Sequence, residues 1–219
     1  FNKVNKYDND KITYTKFPKD FVIGFSTAPY QYEGAQSQDG RGVTNWDEFL
    51  LSGRQTLNDT GEFATNFYYS YENDLERMRL MGVNTLRIGI AWSRIFPDGE
   101  VNAKPNKAGI HFYNKVIKCM ISKGIKPVIC LFHWDYPLTL QNKLVAENKD
   151  GKPEGNGKRA MGFMNDDKDA NGNKLEDIFM NAWETYVSAV YEHILSKHWN
   201  HIYYISSINE ILTMASNGY

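Results

Sequence analysis

With 219 residues, 42 % hydrophobic and 14 % aromatic, the chain has ample apolar material for a globular core, and its length allows one or two domains. Its 25 basic and 26 acidic residues leave a net charge of −1, so there is no electrostatic case for a nucleic-acid partner. No apolar run approaches the roughly 18 residues of a membrane span. Cys119 and Cys130 are too few for a disulfide scaffold or a zinc site and read as buried core thiols. The chain opens at Phe1 without an initiator Met or a signal peptide, the start expected of a processed chain or a fragment.

Residues 1–16, rich in Asn, Lys and Asp, form an irregular lead-in, and 17–219 read as a single αβ unit. Phe17 to Ala28 is β-rich and reads as a first strand, with Gln31 and Glu33 just beyond its carboxyl end. Phe63, Phe67, Tyr71, Leu75 and Met78 recur every three or four residues, predicting an amphipathic helix over 62–81 that Gly82 closes. The run from Asn84 to Arg94 is apolar apart from Arg87, as a strand buried on both faces would be. Ile110, Tyr113, Val116, Ile117 and Met120 mark a second helix ending at Gly124, and Lys126 to Trp134 is a third buried run finishing on His133, Trp134 and Asp135. Residues 148–174 are dominated by Asn, Lys, Asp and Gly and read as a surface insertion. A long helix with Trp183, Tyr186, Val187, Val190 and Ile194 on one face follows, and Tyr203 to Ile208 forms a last strand that exits on Asn209-Glu210.

Alternating buried strands and helices imply parallel pairing with right-handed crossovers. Four such strands would also suit an open doubly wound sheet, but no Gly-rich fingerprint follows any of them. Polar groups sit at the carboxyl ends of the strands or project from within them, where a barrel of parallel strands keeps its catalytic mouth. A carboxylate beside an amide at such an end is a plausible proton donor and hydroxyl-binding pair. Taken alone, Asn209-Glu210 reads more plainly as a solvated strand exit, Gln31 as a loop cap and His133 as a satisfied core histidine. Arg87 has no such plain reading, because an unpaired charge inside an apolar strand is costly and asks for a carboxylate.

Five segments in order carry a family likeness: Phe17-Pro-Lys-Asp-Phe21 with Ala28-Pro-Tyr-Gln-Tyr-Glu-Gly34; Asp39-Gly-Arg-Gly42 with Trp46-Asp47; Arg87 with Trp92-Ser-Arg-Ile-Phe-Pro-Asp-Gly99; Gly124-Ile-Lys-Pro127 with Phe132-His-Trp-Asp135; and Asn209-Glu210. Together they resemble the amino-terminal half of glycoside hydrolase family 1, the β-glucosidase family. The resemblance implies a (β/α)8 TIM-type barrel, of which this chain supplies about the first four β/α units, and hydrolysis of a β-linked sugar or glycoside with retention and without a cofactor. It implies Glu210 as general acid/base and Asn209 as donor to the hydroxyl beside the anomeric carbon. Gln31 and His133 would bind hydroxyls farther round the ring, Trp134 would line the pocket, and Arg87 would support the nucleophile. An acid in this role must hold its proton near neutral pH, which calls for burial or a second carboxylate.

The family's nucleophile lies on a later strand, and no Glu-Asn-Gly segment occurs here. A complementary half-barrel segment or a second copy is therefore the expected partner, since a half barrel exposes two strand edges. Ile211 stands where the family has Pro, Ile208 where an aromatic is usual, Phe67 where a polar residue is usual, and Gly162-Phe163 in place of Gly-Gly-Trp. The alternative to a β-glucosidase-like enzyme is a catalytically inactive barrel-derived protein with a binding, storage or structural role. Within the insertion, Asp167, Asp169 and Asn171 followed by Gly172 resemble the front of a calcium loop; Ile178 takes the place of its closing Glu, so a polar loop without metal is the default. Asn58-Asp-Thr60 is an N-glycosylation sequon, and a secreted or extracellular location is the expectation, with a cytoplasmic one the alternative.

Overall fold

The computed structural model describes residues 16–52, 59–143, 168 and 171–217. One parallel sheet runs in the order β1-β2-β3-β4, with β1 at Gly24–Ser26, β2 at Thr85–Gly89, β3 at Lys126–Phe132 and β4 at Tyr204–Ile208. Sequential order without a reversal is how a (β/α) barrel is laid down; a doubly wound sheet reverses at its switch point. Short helices α1 (Pro29–Tyr32) and α2 (Asn45–Leu51) and the long α3 (Phe67–Leu80) join β1 to β2. The short α4 (Trp92–Ile95) and long α5 (Lys107–Ser122) join β2 to β3, and α6 (Leu138–Lys143) and α7 (Leu175–Val190) follow β3. From α7 the chain passes through a π-helical turn (Tyr191–Leu195), α8 (Ser196–His198) and a 3₁₀ turn (Trp199–His201) into β4, and α9 (Ile211–Asn217) closes the described residues.

The strands alternate between two faces. Leu86, Ile88, Ile129 and Leu131 lie against the helices in the core, whereas Ser26, Arg87, Cys130 and Ser206 share the opposite face. Helix α5 buries Phe112, Tyr113, Val116, Ile117 and Met120, and α7 buries Phe179, Ala182, Tyr186 and Val190. Trp92 stacks on Tyr186 at 4.8 Å, and the Tyr186 hydroxyl lies 2.7 Å from the Ile90 carbonyl and 2.8 Å from that of Leu131. One phenol thus fastens the exits of β2 and β3 to the helix behind them. Exposure grows outward from the sheet centre: Leu86 is 0 % exposed, while Phe25 on β1 is 46 % and Tyr204 on β4 is 64 % exposed.

A buried ion pair ties β1 to β2. Arg94 Nε donates to Glu33 Oε2 at 2.6 Å, Arg94 Nη2 donates to the Gly34 carbonyl at 2.8 Å, and the Tyr113 hydroxyl donates to Glu33 Oε1 at 2.8 Å. The guanidinium also lies 4.4 Å from the centre of the Tyr68 ring. Both carboxylate oxygens of Glu33 and two of the three guanidinium nitrogens of Arg94 are hydrogen-bonded, which offsets much of the cost of burying the pair.

Several sequence expectations need correction. The first strand is only Gly24–Ser26: Phe21 N–H turns back to the Pro18 carbonyl, and Phe17 stacks on Phe21 away from the ladder. The first long helix starts at Phe67, because Ala64 and Asn66 have φ of 45° and 60°, and Phe63 is exposed outside it. Trp92, Ser93 and Arg94 are not strand: the ladder ends when Ile90 N–H donates to the Cys130 carbonyl, and α4 then swings Trp92 into the aromatic core. The lead-in 1–15, Asn58, Gly162-Phe163, Asp167 and Asp169 lie outside the described residues.

Candidate active site

All four strands point their carboxyl ends the same way, so the residues just past them meet at one rim. Arg87, within β2, is half-buried. Its Nη1 donates to Ser26 Oγ at 3.2 Å and its Nη2 to Cys130 Sγ at 3.0 Å. The expected carboxylate is not there: among the described residues Arg87 forms no ion pair. Cys130 is a free, fully buried thiol, as expected, but it borders this arginine instead of resting in the helix-facing core.

His133 is the first residue after β3 and is half-buried, with Nδ1 buried and without a hydrogen-bond partner. Burial lowers its pKa first and the positive charge of Arg87 second, while the negative charge of Glu210 opposes both. The ring is thereby held neutral near pH 7, able to donate through one nitrogen and accept through the other. A histidine that feels both charges sits between the exits of β2 and β4.

Trp134 follows with a φ of 71°, and its indole Nε1 donates to the Asn209 carbonyl at 2.9 Å. Asn45 on α2 fixes this turn, donating from Nδ2 to the Trp134 carbonyl at 2.9 Å and accepting from Tyr136 N–H at 3.1 Å. Asn209 N–H donates to the Phe132 carbonyl at 2.9 Å, extending the β3–β4 ladder by one bond. Glu210 then has a φ of 48°, its carbonyl accepts from Met214 N–H to open α9, and its side chain is exposed. A proline at 211 would push the preceding residue toward extended backbone; Ile211 leaves the positive φ accessible.

The structure therefore brings Arg87, His133, Trp134, Asn209 and Glu210 together. Gln31 lies on α1 just beyond β1, exposed, and its side chain makes no hydrogen bond among the described residues. Sequence reasoning missed Asp135, which is 3 % exposed and whose pKa is raised well above the carboxylate range by burial, with the Glu33 charge adding to the effect. Sequence reasoning also missed the buried Glu33–Arg94 pair. Among the described residues no group of three His, Cys, Asp or Glu side chains is placed to hold a metal, and no helix is long and apolar enough to cross a membrane.

The sequence model of glycosyl hydrolase family 1 matches residues 13–150. The chain belongs to that family. It is 44 % identical over 133 residues to beta-glucosidase 6 of Oryza sativa subsp. japonica, covering 60 % of this chain and 25 % of that protein. To beta-glucosidase 14 of Arabidopsis thaliana it is 34 % identical over 211 residues, covering 95 % of this chain and 37 % of the relative. Among solved structures, the rice Os3BGlu6 β-glucosidase superposes with a TM-score of 0.72 at 32 % identity, over 93 % of this chain and 36 % of that one. Beta-glucosidase 2 of the fungus Trichoderma reesei, in complex with Tris, gives 0.72 at 31 % identity, over 93 % and 37 %. These neighbours are TIM barrels, and the four-stranded sheet is the corresponding run of (β/α) units. The chain spans a quarter to under two-fifths of the relatives' lengths.

Proposed function

We propose that this chain supplies the acid/base side of a retaining β-glucosidase site. The observation that carries the reading is the position of His133, which responds to Arg87 from β2 and to Glu210 from the end of β4 while its neighbour Trp134 is bonded to Asn209. Three strand exits thus contribute to one mouth. Glu210 protonates the glycosidic oxygen as the leaving group departs, and in the second step takes a proton from the attacking water. Asn209 donates to the hydroxyl beside the anomeric carbon, His133 and Gln31 bind hydroxyls farther round the ring, and Trp134 forms a wall. Arg87, without an ion pair among the described residues, supports the nucleophile.

That nucleophile must stand roughly 5–5.5 Å from Glu210 for retention, and a complementary set of β/α units provides it. In support, an open groove of about 720 Å³ beside β4 presents Leu131, Val187, Tyr191, Leu195, Trp199 and Ile205, the kind of surface a further β/α unit covers. The substrate class is a β-linked glycoside. A second reading, a barrel-derived protein without catalysis, is favoured by one feature: Glu210 is exposed and carries a positive φ. An aryl β-glucoside decides between them, with the first-formed anomer read by proton NMR and the polypeptides present identified by intact mass. The enzyme reading expects β-glucose first, and only when a complementary half is present. No turnover with that half verified present establishes the second reading.

A further inference from the structure

In the helical layer, between α5 and the π turn with α8, lies an open cleft of about 730 Å³. Its walls carry Lys104, Lys107 and Lys118 from one side and Lys197 from the other, together with His111, His193 and His198, and no carboxylate lines it. Several surface cations elsewhere are matched: Arg77 pairs with Asp74, Arg79 and Lys123 with Glu76, and Lys143 with Glu100. None of the four cleft lysines forms an ion pair among the described residues. Among the described residues the one ion pair to a lining group is that of His193 with Glu192, 4.0 Å away and largely solvent-exposed. In a chain with a net charge of −1, this is a local concentration of uncompensated positive charge.

The cleft is built, not merely decorated with lysines. Asn114 spans it, donating from Nδ2 to the Ile110 carbonyl at 2.8 Å and to the His193 carbonyl at 3.1 Å. Its Oδ1 lies 2.9 Å from Nε2 of the buried His198, so that nitrogen carries the proton. The π turn brings His193 to this contact; such turns recur at functional positions. Lys107, His111, Asn114 and Lys118 follow one another at helical spacing along one face of α5. At 1.5 Å per residue, Lys107 and Lys118 stand about 16 Å apart along the axis, so a single small anion cannot satisfy both ends. Because α5 packs over β3, inside the sheet, a further unit added at the β1 or β4 edge leaves the cleft open.

We propose that this cleft binds a linear oligoanion, a chain bearing several sulfate or phosphate groups that runs along α5 from Lys104 and Lys107 to Lys118 and Lys197. The histidines and Asn114 line its middle, and Ile110 and Pro105 give it an apolar floor. The site is separate from the glycosidase mouth and does not depend on that reading.

Isothermal titration of the full protein with inorganic sulfate, with a linear polyphosphate and with a heparin-derived sulfated tetrasaccharide tests the proposal, with the imidazole resonances of His111 and His193 as the local reporter. The expected result is saturable binding of at least one long anion, with shifts at both histidines, and much weaker binding of inorganic sulfate. Which long anion binds more tightly distinguishes a sulfated sugar from a polyphosphate as the source. Replacing Lys107→Gln and Lys118→Gln together weakens binding about 25-fold, about fivefold for each unit charge in water-like surroundings. Because both side chains are exposed, the variant keeps its fold, checked by an unchanged melting temperature. Failure of both long anions to bind, equal binding of inorganic sulfate, or indifference to the double substitution overturns the proposal.

Discussion

Two buried carboxyl groups near the strand exits have opposite fates, decided by what surrounds them. Glu33 is committed to Arg94, so Glu33→Gln leaves a guanidinium buried without its counter-charge and is expected to cost about 3–5 kcal/mol in urea unfolding. The paired change Glu33→Leu with Arg94→Met, which removes both charges, recovers most of that loss. Asp135 lacks such a cation, and burial raises its pKa well above the ordinary value. The folded chain thus holds a proton there that the unfolded chain releases near pH 4. The stabilisation is full below that pH and is lost as pH rises through the folded pKa; Asp135→Asn should remove this slope and be at least as stable as the parent at pH 7 in thermal melts. His133 behaves in the reverse sense: its pKa is depressed, so its contribution is full above the ordinary histidine value of about 6.5 and declines as pH falls below it. An imidazole resonance for His133 that titrates at or above that value would contradict a ring held neutral by burial and the neighbouring Arg87. At this scale the sequence revealed strand-end polar groups, since each sits at a recognisable exit. It concealed the Glu33–Arg94 pair, because the two residues lie 61 positions apart and only β1–β2 pairing brings them together.

The elements show where periodicity is a reliable guide. β2 and β3 were legible because most of their residues are buried and their runs are apolar with few interruptions, Arg87 the main one. The β1 run was overread because Phe17, Phe21 and Val22 look like strand residues although they are exposed and outside the ladder. Trp92 was misplaced because an apolar run alone does not reveal whether it continues a strand or turns into a core helix. Close packing gives this layer its sharpest test. A Cβ on Gly109 of α5 would sit 2.1 Å from the Arg94 carbonyl oxygen, so Gly109→Ala must move α5 or α4, and a marked drop in melting temperature is expected. At the other end of the fold, Ile211 is the first residue of α9, a position that accepts proline. Ile211→Pro should drive Glu210 out of its positive φ toward extended backbone and raise kcat on an aryl β-glucoside in the completed protein. Unchanged kcat would mean that this turn does not control the carboxylate.

For the whole molecule, the sheet is well covered at its centre and bare at its edges, with β1 exposed along its length and β4 nearly so. The structural neighbours match that gradient: in them the corresponding segment is little more than a third of a longer TIM-barrel chain. Asn209-Glu210 was legible as the exit of the last strand, but the positive φ of Glu210 was not, because backbone φ at a strand exit depends on tertiary closure. The proposed role of Glu210 makes a kinetic commitment. In the protein with its complementary β/α units, the alkaline limb of the kcat/KM–pH profile on a β-glucoside should report the protonated acid. The most direct measurement is that profile for Glu210→Gln beside the parent: the alkaline limb should disappear and the rate should fall about 10²–10⁴-fold, whereas an alkaline limb and rate that survive the substitution would contradict the assignment of the proton donor to the end of β4.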